Sequence, residues 1–177
     1  MQILINSLAA MNNHIARILM VFTSLIVLVI FLIVFGGVVV RTFTGQGYGI
    51  ALEMPPLLVP WMVFPLLGLL LRSGAHITVD YLPTKLTQNG QSKLRVAVAI
   101  VAVFAGAIFC RAGIKAVELF QLTGQMAEVE LEFPIWWIYL SFPVGYVIMV
   151  SFALEIVLTE IIGTPKNNKP QEYRAEL

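Results

Sequence analysis

The sequence predicts an all-α membrane protein with four transmembrane helices, and three observations predict it. Of its 177 residues, 59% are hydrophobic and only 12% are charged, against roughly 25% charged in an average soluble domain. Four apolar segments reach, or nearly reach, the roughly 20 residues that a helix needs to cross about 30 Å of hydrocarbon. Backbone N–H and C=O groups find no water there, so segments of this length must pair their polar groups internally, as helices do.

The first span, placed at about 18–40, takes in Ile18 to Val40 and holds no charge until Arg41. The second, about 54–71, runs from Met54 to Leu71, is uncharged and just long enough, and carries Pro55, Pro56, Pro60 and Pro65. The third has its uncharged core at Val96 to Cys110. It reaches about 94–115 when Arg95, Arg111 and Lys115 extend their aliphatic stems and put their charges at the two interfaces. The fourth, about 134–158, begins at Pro134, a favourable first-turn residue, and stays apolar to Leu154. Met1 to Ala16 has no basic n-region and no small-x-small site follows the first span, so that helix is expected to remain as a signal anchor. Residues 1–177 then form a single helical membrane domain that ends in a flexible cytoplasmic tail at about 164–177.

Positively charged side chains resist translocation, so short-loop Lys and Arg counts set the orientation. With four spans both termini share a side, which holds Arg17, Arg72, Lys85, Lys93, Arg95, Lys166, Lys169 and Arg174. The other side holds Arg41, Arg111 and Lys115. Both termini are therefore expected in the cytoplasm of a cell whose inner membrane holds the chain.

Several chemistries are disfavoured. A net charge of +1 gives no footprint for nucleic acid. Cys110 is the sole cysteine, which removes disulfide exchange, and His14 and His76 lie outside the apolar runs, which removes haem ligation at membrane depth. No G-x-x-x-x-G-K-[ST] loop is present, and no span shows a metal cluster, a nucleophile with its base, or paired carboxylates. No catalytic residue, metal or cofactor is expected, and the bilayer itself is the first partner.

The remaining polar and aromatic groups read mostly as architecture. From Pro134 to Ile162 is about 43 Å of helix, longer than the hydrocarbon is thick, so Glu155 and Glu160 are expected at the cytoplasmic headgroups rather than as coupling carboxylates. Pro60 and Pro65 read as kinks, since no second broken segment completes an inverted repeat. Ala99, Ala102, Gly106 and Cys110, with Ser141 and Gly145, leave room for close helix approach. Trp136, Trp137 and Tyr139 read as an interfacial belt. Arg72, His76 and Asp80 fall four residues apart, where they can pair on one face of an interfacial segment that follows the second helix and dips Ile77, Val79 and Leu82 into the bilayer surface. On the opposite side Glu128, Glu130 and Glu132 alternate just before the fourth span, either as a solvated loop or as an acidic edge that meets an extracytoplasmic partner.

These residues form an ordered pattern. Glu53 leads into a span with Trp61, then Gly68 and Arg72-x-x-x-His76-Ile-Thr-Val-Asp80; later come Gly124, Pro134-Ile-Trp136-Trp137-Ile-Tyr139 and Pro143-Val-Gly145. The pattern resembles the small integral membrane subunit of tripartite ATP-independent periplasmic (TRAP) transporters, over essentially the whole chain. The proline-rich Met54 to Pro65 stretch is one variation on that pattern. The resemblance implies a transporter without enzymatic activity of this chain. A periplasmic substrate-binding protein delivers an organic acid to a large membrane subunit, which carries the substrate and sodium sites and moves as an elevator. The small subunit braces it and helps dock the binding protein. Two other classes remain: an autonomous four-helix exporter, which needs an acid deep in a span, and a membrane anchor for another complex, which needs only packing surfaces.

Overall fold

A computed structural model describes residues 2–73, 88–127, 129–130 and 132–161. His76, Asp80, the expected interfacial segment, Glu128 and the expected tail lie outside the described residues. Among those described, the chain runs α1 (Gln2–Thr44), α2 (Ile50–Ser73), α3 (Gln88–Thr123), β1 (Met126–Ala127), β2 (Phe133–Pro134), α4 (Trp136–Tyr139) and α5 (Ser141–Ile161). Four stretches are long and apolar enough to cross a membrane: Ile5–Thr44, Ile50–Ser73, Gly90–Thr123, and Trp136–Ile161, which joins α4 to α5.

Two of the helices extend well beyond the apolar cores that predict them. With 43 residues, α1 is about 64 Å long, twice the hydrocarbon thickness. Polar residues such as Asn12, Asn13, His14 and Arg17 do not end it, because nothing in Gln2 to Arg17 breaks a helix. What ends it is Gly45, whose φ of +72° suits an αL cap and whose N–H bonds to the Arg41 carbonyl at 3.0 Å. Gly124, at φ +63°, follows the last residue of α3 in the same way.

The second helix covers the expected second span, about 54–71, and extends past both of its ends. It is continuous through Pro55, Pro56, Pro60 and Pro65. Each proline removes one backbone donor, but side-chain packing holds the helix: Pro65 and Gly68 are buried, on the stretch of α2 that meets α5.

At the centre of the bundle, α5 touches α1, α2 and α3. Small residues set its distance from each neighbour. A Cβ added at Gly145 would lie 2.4 Å from the Phe64 carbonyl carbon, and one at Gly68 would lie 3.0 Å from the Met149 Cα. Gly106 faces Val150 and Met149, and Gly113 faces Pro143, which fixes α3 antiparallel to α5. The core of Ala99, Val117, Met149, Phe152 and Ala153 is small. Large apolar side chains cover the outside instead, among them Phe22, Leu25, Leu28, Phe31 and Phe35 of α1 and Val101, Phe104 and Ile108 of α3. Such faces need hydrocarbon or another protein against them.

Candidate functional site

Two polar constellations stand at opposite ends of the bundle. The first lies at the terminal end, where α1 begins and α5 finishes. Along α1 the residues Ile5, Asn12, Ala16, Leu19 and Ile26 are buried, a stripe with heptad spacing that turns one face inward. Asn12 is the polar member of that stripe and is fully buried. Its Nδ2 donates to Glu155 Oε2 at 2.7 Å and approaches the Ser151 carbonyl at 3.3 Å, while its Oδ1 accepts from Ser151 Oγ at 2.8 Å. From α2, Arg72 Nη2 reaches Glu155 Oε1 at 3.2 Å, and its guanidinium carbon lies 5.6 Å from the centre of the Phe152 ring.

Glu155 is only 5% exposed. The carboxylate points into the bundle, where both of its oxygens are held. One level further out, Glu160 accepts from Ser92 Oγ and pairs with Arg95 at 3.7 Å, which ties α3 to α5. The expected pairing of Arg72 with His76 and Asp80 lies outside the described residues.

The second constellation lies at the opposite end. Trp61 Nε1 donates to the Trp137 carbonyl at 3.1 Å, so α2 is latched to α4. Trp136 and Trp137 stack obliquely at 5.2 Å, and Trp137 faces outward. Pro134 closes the two-residue ladder, paired with Met126. Glu53 accepts the Glu130 backbone N–H at 2.9 Å and so ties the start of α2 to the turn between β1 and β2. The carboxylates of Glu130 and Glu132 are exposed, although Glu130 also lies against Gly49.

Of the residues singled out by sequence, the structure therefore joins Glu53 to Glu130, Trp61 to Trp137, and Gly68 to the α5 backbone. It also joins Arg72 to Glu155. Sequence reasoning missed Asn12 and Ser151. A signal for Asn12 was present: a polar residue inside the apolar heptad stripe of Ile5, Leu19 and Ile26 is the pattern by which buried asparagines fix helix register. Ser151 carried no comparable signal.

In chemical terms the terminal-end cluster is closed. Among the described residues no group of three His, Cys, Asp or Glu side chains could hold a metal ion. Both acids of the fourth span are engaged by cations and hydroxyl or amide donors.

The profile of the family described as tripartite ATP-independent periplasmic transporters, DctQ component, matches residues 30–163. The chain belongs to this family. It is thus a multi-pass membrane component of a transporter, and the family is one of transporter components rather than enzymes. A curated relative, the uncharacterized protein y4mM of Sinorhizobium fredii (strain NBRC 101917 / NGR234), is 31% identical over 118 residues. That match covers 64% of this chain and 20% of the relative, so the chain spans about a fifth of the relative's length. No solved structure matches.

Proposed function

We propose that this DctQ component is a brace. It lies in a bacterial inner membrane with both termini in the cytoplasm and holds a large TRAP membrane subunit. The complex takes up an organic acid, delivered by a periplasmic binding protein, on a sodium gradient. The observation that carries this reading is the closed network of Asn12, Arg72, Ser151 and Glu155. A coupling carboxylate must exchange partners as it cycles, whereas Glu155 has both oxygens occupied by donors from two other helices. The apolar face of α3, with Val101, Phe104 and Ile108, and the far half of α1, with Phe31 and Phe35, give such a brace its packing surface. The lysine and arginine count supports the orientation. The Sinorhizobium relative, in which the matched stretch is a small part of a longer chain, accords with a unit that works against a larger body.

A tag at the C-terminus, mild detergent extraction from the native membrane and mass spectrometry of the co-purifying chains test the reading. One large polytopic membrane protein, near equimolar with this chain, is the expected result. Recovery of a homo-oligomer alone would overturn it and favour an autonomous exporter.

A further inference from the structure

Among the described charges at its end of the bundle, Arg17 and Lys93 are exposed and outside the two ion pairs, and Arg17 is the one on α1. Five residues before it, Asn12 is pinned to Ser151 and Glu155, and five helical residues rise about 7.5 Å. Arg17 therefore leaves α1 more than a turn closer to the middle of the bundle than the buried cluster. From Trp137 to Glu155 the chain rises about 27 Å, close to the thickness of the hydrocarbon. With an interfacial Trp137 at one boundary and Glu155 near the other, the Arg17 Cα falls several ångströms inside the apolar layer. Its side chain is exposed, and the ion pairs of the described residues, Arg72 with Glu155 and Arg95 with Glu160, leave it out.

The inward stripe of α1 fixes where Arg17 faces. At about 100° per residue it lies roughly 140° around the helix from Asn12, on the outer face, with Val21, Ser24 and Leu28 on the turns that follow. A charged head at that depth is costly unless it leaves the hydrocarbon. The helix supplies the exit, because side chains lean toward the N-terminus. The Arg17 stem thus runs back over the turn that carries Asn13 and His14, both exposed, toward the end where α1 starts. Guanidinium, amide and imidazole donors thus share one outward face of α1, and an Arg17 stem extended toward the N-terminus reaches for the level of the phospholipid phosphates. On its inner side this face leads to a shallow, open and mainly apolar groove lined by Met20, Val21, Ser24, Leu25 and Leu28.

We propose that Asn13, His14 and Arg17 bind the phosphate of a membrane phospholipid, with an acyl chain lying along that groove. A guanidinium fork gives two parallel charge-assisted bonds to a phosphate, and the neighbouring side chains add further donors. The proposal rests on the helices crossing a bilayer and not on the transport assignment. Its readout is lipid, so it fails or stands separately from co-purification of a large subunit.

The test uses the full chain with whatever partners co-purify, loaded with phosphatidylglycerol in mild detergent and examined by native mass spectrometry. Wild type is expected to retain about one phosphatidylglycerol per chain at this site, and Arg17→Gln roughly tenfold less. Arg41→Gln, at the other end of α1, is expected to match wild type. Millimolar inorganic phosphate should leave the lipid in place; displacement by it would mark a free-phosphate site and overturn the proposal. Equal retention by wild type and Arg17→Gln would overturn it as well. So would loss of a partner protein with lipid unchanged, which would give Arg17 to a partner's carboxylate. If Arg17→Gln does not elute as wild type does, Asn13→Ala/His14→Ala decides: loss of lipid upholds the site, and full retention overturns it.

Discussion

At Glu155 a carboxylate is carried into a protein interior, a move that costs several kcal/mol after relaxation. Arg72 from α2 and Asn12 from α1 offset that cost, and the Phe152 ring lies against the Arg72 guanidinium. The offset depends on all partners being present. Glu155→Leu leaves Arg72 and Asn12 without their acceptor, and Arg72→Met leaves the carboxylate without its cation. Each is expected to destabilise the subunit by about 3–5 kcal/mol, while the double variant is expected to lose far less than the sum. Unfolding midpoints of the four proteins in one detergent close the cycle. Strict additivity would mean that the pair does not act as a unit. The sequence marked Arg72 as part of a motif, but its partner is 83 residues away. No periodicity reveals such a pairing, because it depends on which helix faces which.

The same limit appears among the helices. That four apolar stretches would be helices was legible, as was the small-residue character of Gly106, Ser141 and Gly145, because lipid leaves the backbone no other option. The ends were not legible. Hydropathy marks where a chain meets hydrocarbon, whereas caps decide where a helix stops, and Gly45 and Gly124 lie beyond the apolar cores. The prolines of α2 were legible as lying within a span, whereas the packing of Pro65 and Gly68 that accompanies them was not. The close approach at Gly145 gives the element scale its own test. There an added methyl meets backbone atoms of Phe64, which cannot swing aside, so Gly145→Ala is expected to cost roughly 1–3 kcal/mol. At Gly36 of α1 nothing lies within 4 Å, so Gly36→Ala is expected to be neutral or stabilising by up to about 1 kcal/mol through helix propensity. Thermal unfolding of the two variants side by side reads the contrast. Equal midpoints would show that α2 and α5 do not set their spacing at Gly145.

Across the whole molecule, the two ends are built for different surroundings. The terminal end buries Glu155 against Arg72 and Asn12, pairs Glu160 with Arg95 nearer the surface, and so ties α1, α2, α3 and α5 together. The opposite end carries the Glu53 and Trp61 latches and the β1–β2 ladder, and leaves Glu130 and Glu132 exposed on the β1–β2 connection, with Glu128 in the same acidic run of the sequence. The latches close on the Glu130 backbone N–H and the Trp137 carbonyl, so the exposed side chains of Glu130 and Glu132 can change charge without breaking either. Charge reversal, Glu128→Lys/Glu130→Lys/Glu132→Lys, is therefore expected to preserve unfolding behaviour. If the binding protein docks on this edge, reversal should slow partner-dependent uptake by about an order of magnitude or more at low ionic strength. The defect should shrink as salt shortens the Debye length from about 30 Å at 0.01 M to about 8 Å at 0.15 M. Initial uptake rates in vesicles, measured at both ionic strengths with the binding protein supplied from outside, separate the cases. A defect independent of salt would point to a disturbed connection rather than a lost charge contact. Unchanged uptake at low salt would leave the acidic run as a solvated loop and move the docking surface to another part of the complex.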